Sequence, residues 1–145
     1  MLKLLQYAKS QNQSSQRSSM EFQICSPILG FENVKNVMLE KIDDIFMNMK
    51  ANEDNRITFT LINPFVLREY DFELTKHAQE LLDADQNSNL LVLNIVLIQN
   101  PIEDSMVNFI APMIFNTDTK KAIQIVLPEN SNYPIAAKIS SFLQQ

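Results

Sequence analysis

The side chains of this sequence that stand out as possible chemical actors are one histidine, one cysteine and two adjacent pairs of acids. His77 could serve as a general acid or base, but a zinc site or a nucleophilic triad needs further ligands or a partnered nucleophile. His77 is the one histidine and falls on a predicted helix after Thr75, where it reads as a solvated or half-packed side chain, so neither a triad nor a zinc site is assembled from it. Cys25 has no partner for an intramolecular disulfide, which points to a reducing compartment, and it reads as a small buried hydrophobe rather than a nucleophile. Asp43-Asp44 and Glu103-Asp104 are neighbours along the chain. In extended structure their side chains diverge, unlike two carboxylates flanking one substrate. They read as solvated turns or as parts of a recognition surface. Gly30 is the one glycine, so no phosphate-cradling loop can be made. No catalytic residue, metal or cofactor is implied.

The elements that must position these groups are mostly strands. In Ile57 to Leu61, apolar Ile57, Phe59 and Leu61 alternate with threonines, the pattern of a half-buried strand. Leu90 to Ile98 is apolar almost throughout and rich in valine and isoleucine, as expected of a central strand covered on both faces. Val107 to Ile110, Met113 to Phe115 and Ile123 to Leu127 are further strands, with Pro64, Pro101, Pro112 and Pro128 at or near the ends of such runs. Thr75 caps a short helix whose Leu74, Ala78, Leu81 and Leu82 form one stripe. Pro134 suits the start of a second helix, with Ile135, Ile139, Phe142 and Leu143 repeating the spacing. Asp44 to Lys50 fits either a short helix or a strand. With so little glycine, asparagines such as Asn33, Asn52, Asn55, Asn63, Asn100, Asn116 and Asn130 are expected to take left-handed turn positions. Gly30 is the turn position expected to tolerate a side chain least.

One stretch departs from plain patterning. VNFIAPMIFN, Val107 to Asn116, sets two asparagines and a proline inside an apolar run. A buried amide without partners is costly, so Asn108 and Asn116 imply specified hydrogen bonds, and both are read as structural ties rather than as binding groups. Met38, Met47, Met49, Met106 and Met113 read as core filler, the alternative being an adaptable interface for varied helices.

The chain of 145 residues, 46% of them hydrophobic, suits one domain with a real core. Its net charge is −5, yet residues 1–19 hold Lys3, Lys9 and Arg17 and no acid, so residues 20–145 carry −8. An acidic domain repels nucleic-acid backbones and attracts basic proteins. Ser10 to Ser19 is a polar low-complexity tract, so residues 1–19 are expected to be a disordered extension of the domain at 20–145. The apolar runs are too short to span a membrane and no signal peptide is read at the start.

Together with SPILGFE (Ser26 to Glu32), FTLINPFVLREY (Phe59 to Tyr70), the Leu90 to Ile98 run, Gln124 and Asn132-Tyr133-Pro134, the VNFIAPMIFN stretch resembles the FliW family of flagellar assembly factors from Met20 to Pro134. The resemblance singles out Gly30, Phe31, Asn63, Pro64, Tyr70, Asn108, Ala111, Pro112, Asn116, Gln124, Tyr133 and Pro134 as motif positions, read as structural. It differs at Leu29-Gly30-Phe31, where many relatives have Pro-Gly-Phe, and at Ile135-Ala136-Ala137, where many have an arginine. It implies a mainly β fold, a small antiparallel β-barrel-like domain with one or two short helices. It further implies a cytoplasmic regulator without enzymatic activity, monomeric when free, that binds two proteins. One is CsrA, a basic translational repressor of flagellin messenger RNA, and the other is flagellin before its export. Glu103, Asp104, Asp43 and Asp44 are the acids expected to meet the basic partner. An export chaperone for flagellin without a role in translation is the alternative. A barrel holding a small ligand is more distant, with Asn94, Asn108 and Gln124 as its polar groups.

Overall fold

The computed structural model describes residues 4–5 and 19–143 of the chain. An antiparallel meander opens it: β2 Ser19–Ser26, β3 Asn36–Lys41, β4 Phe46–Ala51 and β5 Thr58–Ile62, after a two-residue β1 at Leu4–Leu5. The alternation that makes these strands is plain in β2, where Phe22 and Ile24 are buried and Glu21 and Gln23 exposed. After β5 come the helix α1 (Lys76–Leu82) and the long β6 (Leu90–Leu97), then β7 (Met106–Val107), β8 (Met113–Asn116), β9 (Lys121–Gln124) and β10 (Ala137–Lys138). Seven strands close into a ring in the order β6-β5-β4-β3-β2-β9-β8 and back to β6. Every neighbouring pair in the ring is antiparallel except β2 and β9, which run parallel with Gln23 opposite Lys121.

β6 makes closure possible because its two halves serve different neighbours. Leu90–Leu93 pairs with β8, Val96–Leu97 pairs with β7, and on its other flank Asn94–Val96 pairs with β5. Beyond the end of β5, Leu90 and Leu91 receive β1 in parallel. Side chains alternate accordingly: Leu91 and Leu93 join Phe22, Leu39, Met47, Met49, Leu61 and Phe115 in the barrel core. Leu90, Val92 and Val96 join a second core on the outside of β6, β8 and β9, roofed by α1 and loops bearing Tyr70, Phe109, Leu127 and Ile139. This second layer is why β6 reads as continuously apolar. Met47, Met49 and Met113 are buried filler, as the sequence suggested, while Met38 and Met106 are half-buried.

The helix stands where its stripe placed it, with Thr75 Oγ1 accepting the Ala78 N–H at 3.1 Å. Asp44 to Lys50 resolves in favour of strand, forming most of β4. The second expected helix is not formed. From Pro134 the chain pairs Ala137–Lys138 with Met106–Val107 and makes only a 3-10 turn at Ile139–Phe142. The Pro134 carbonyl accepts the N–H groups of Phe109 and Ile110 instead of starting a helical ladder. The left-handed positions also differ from expectation. Among the described residues they are Asp83, Lys120, Asn132 and Gly30, and none of the seven asparagines named above is among them. Three have other work for their side chains: Asn63 and Asn116 cap turns and Asn52 bonds Glu21. Gly30, at φ 85°, needs its conformational freedom, although a Cβ there would meet nothing within 4 Å. The expected disordered extension falls, apart from β1 and Ser19, outside the described residues. Ser19 itself opens β2 opposite Glu40.

Candidate functional site

The motif positions converge on the seam between the barrel and its outer layer. Asn94, fully buried on β6, donates from Nδ2 to the Tyr70 hydroxyl at 3.0 Å and to the Asn108 carbonyl at 2.8 Å. The Tyr70 hydroxyl donates in turn to the Phe109 carbonyl, so Asn94 must present its amide nitrogen there. Its Oδ1 is buried without a protein partner. Burial pushes the Tyr70 phenol well above its ordinary range, which keeps it the neutral donor that Phe109 requires. Asn108 Oδ1 accepts the Ala111 N–H at 3.1 Å, and the Ala111 carbonyl accepts Gln124 Nε2 at 3.1 Å. Gln124 Oε1 then accepts the Leu29 N–H at 2.8 Å, tying the Gly30 turn to the β8–β9 hairpin. Asn116 is buried, with Nδ2 on the Leu82 carbonyl and Oδ1 on the N–H groups of Asp118 and Thr119. It fixes the end of α1 to the same hairpin.

Pro112 and Pro64 are buried; the Pro112 carbonyl receives the Ile125 N–H, and Pro64 opens a 3-10 turn capped by Asn63. Tyr133 latches Asp71, donating to its carbonyl and accepting its N–H, both at 3.1 Å. The rings of Phe65, Phe72, Phe109 and Tyr133 pack edge-on around Tyr70, with Arg68 over Tyr133 and Phe109. Phe31 lies partly exposed, edge-on to Phe59 at 5.0 Å. Arg68 and Asn94 were not singled out as members of this network. The LREY spacing and an asparagine inside an all-apolar strand were their only signals.

The acids are dispersed. Asp43 and Asp44 sit on the β3–β4 turn, where Asp43 Oδ1 holds the N–H groups of Ile45 and Phe46 and Asp44 pairs with Lys41 at 3.4 Å. Glu103 and Asp104 occupy a 3-10 turn between β6 and β7, Asp104 lying 4.0 Å from Lys138 and Glu103 exposed. Asp43 therefore serves its own turn, and Glu103 and Asp44 face solvent. Among the described residues no group of three or more His, Cys, Asp or Glu could hold a metal ion, and no helix is long and apolar enough to cross a membrane. His77 is exposed on α1, beside a groove of about 670 Å³ between α1 and β9.

What these positions define is a closed β-barrel with one helix and a hydrogen-bonded outer layer, its buried amides spent on holding loops. The model of the FliW protein family matches residues 6–139, and the chain belongs to that family. It is 60% identical over 126 residues to the flagellar assembly factor FliW of Sulfurimonas denitrificans, covering 87% of this chain and all of that protein. Flagellar assembly factor FliW 2 of Wolinella succinogenes is 55% identical over 126 residues, 85% of this chain and 92% of the relative. That of Campylobacter lari is 39% identical over 129 residues, 87% and 98% respectively. A crystal structure of the flagellar assembly factor FliW superposes with a TM-score of 0.77 at 22% identity, covering 82% of this chain and 84% of that one, and shares the fold.

Proposed function

We propose that this protein is a non-enzymatic, cytoplasmic regulator of flagellum assembly that binds the translational repressor CsrA and relieves its repression of flagellin messenger RNA. It also binds flagellin before export, so that secretion of flagellin frees it to inhibit CsrA. The observation that carries the reading is the 60% identity to a flagellar assembly factor along that protein's whole length. The charge of −8 on residues 20–145 supports attraction to a basic protein and not to RNA. The two partners are antagonistic, and linkage requires each to weaken the other by the same factor. Titrating purified flagellin into a preformed complex with CsrA is expected to release CsrA and restore its RNA binding. Flagellin binding without any CsrA binding would leave an export chaperone with no role in translation. Binding of neither would overturn both.

A further inference from the structure

We propose that the groove between α1 and β9 is a docking slot for an extended, basic peptide segment of a protein partner, which adds to the sheet at Val126. After β9 the chain continues extended: Ile125 and Leu127 donate their N–H groups to the carbonyls of Pro112 (3.1 Å) and Ile110 (2.7 Å). In such a ladder the intervening residue turns its backbone groups the other way. For Val126 that is the flank covered by β2 as far as Ser26, where β2 ends. Val126 makes no hydrogen bond through either its N–H or its carbonyl, and Phe72 and Glu73, on the facing wall, make none through their backbone either. The slot thus has an open strand edge at Val126, the arrangement that strand addition uses.

The chemistry of the occupant follows from the lining. Leu74, Ala78, Leu81, Ile123 and Ile125 make the walls apolar, fitting alternate apolar side chains of an extended chain. Asp71 and Glu73 are exposed at the groove; His77 is the one basic side chain among its lining residues, and no lysine or arginine lines it. Lysine or arginine in the guest segment complements these carboxylates, and the acidity of residues 20–145 as a whole favours the same sign of partner. Pro128 ends the exposed edge within two residues of Val126, so it offers a short site rather than a template for long sheet growth. The inference rests on the reading of the chain as a protein-binding module, and it deepens that reading by giving the bound segment a conformation and a charge.

The test uses the full chain and an array of nine-residue peptides alternating apolar residues with lysine or arginine, with a matched series carrying glutamate instead. The tightest basic peptide is then titrated in solution while amide exchange is followed at Val126. The expected result is binding of the basic series over the acidic one, slowed exchange at Val126, and affinity about tenfold weaker in Val126→Pro, which removes the open donor at an edge position. A second variant, Asp71→Lys with Glu73→Lys, is expected to lose affinity similarly and decides the matter should the proline variant fold poorly. No binding by any basic peptide, equal binding of both series, or affinity untouched by the variants would overturn the proposal. If CsrA and flagellin fail to bind while the basic peptides still dock at Val126, the regulatory reading falls and the slot stands.

Discussion

Asn116 and Asn108 illustrate how much one amide can hold. Asn116 is fully buried and holds four backbone groups, the Leu82 and Asp83 carbonyls and the Asp118 and Thr119 N–H groups, whereas the half-buried Asn108 holds one. Asn116→Ala should therefore cost about 3 kcal/mol and Asn108→Ala about 1 kcal/mol, read from urea unfolding midpoints. Tyr70 carries a pH signature. Its folded phenol titrates above the ordinary value of 10.0, so the unfolded chain releases this proton first. Its stabilising contribution is fully present below pH 10 and is lost as the pH climbs from there toward the folded value. Between about pH 10 and 12 the stability of the native protein should fall more steeply than that of Tyr70→Phe, which is destabilised at neutral pH but lacks this titration. The sequence made the need for buried amide partners visible, because asparagine interrupts apolar runs there. It could not name the partners, since Tyr70 lies 24 residues from Asn94 and Leu82 lies 34 from Asn116. Such pairings depend on register, which local composition does not encode.

At the level of elements, strands with alternating or continuous apolar character were legible, and so was α1, because a cap and a stripe agree there. Thr75→Ala is expected to lower stability by about 1 kcal/mol, measured by thermal or urea unfolding, through loss of the Oγ1 cap on a helix of only seven residues. The segment after Pro134 carried a comparable stripe and yet is not helical. Backbone pairing of Ala137–Lys138 with β7 and burial of Ile139 against the outer layer outweigh a helix whose first carbonyl is already engaged by Phe109 and Ile110. Asparagine's tolerance of left-handed backbone was likewise outweighed, at Asn63 and Asn116, by its side chain's ability to cap a turn with φ negative. The groove was not legible because its edge exists only where β2 departs from β9, a property of topology.

For the molecule as a whole, the acidity of residues 20–145 bears on how a basic partner would be met. On the function proposed above, reversal at Glu103 and Asp104 should slow association with CsrA most at low salt and leave the unfolding midpoint nearly unchanged, as stopped-flow and thermal melts would show. An unaltered on-rate would shift attention to Asp44 and to Glu69 with Asp71. Removing residues 1–18, whose only described strand is the two-residue β1, should leave melting and partner binding essentially as in the full chain. A loss of several degrees would mean that β1 holds more than its length suggests.

The parallel seam between β2 and β9 has a bearing on how the protein is born. The strand that starts the meander waits for a partner almost a hundred positions downstream, Gln23 for Lys121. During synthesis the meander can assemble as soon as it leaves the ribosome, but its first strand stays open on one side until the C-terminal third arrives. Closing so long a loop makes the last step of folding slow relative to hairpin formation. A truncated or stalled chain would therefore display a free β2 edge and an unfilled barrel core, the kind of surface that chaperones hold and that aggregates when they do not.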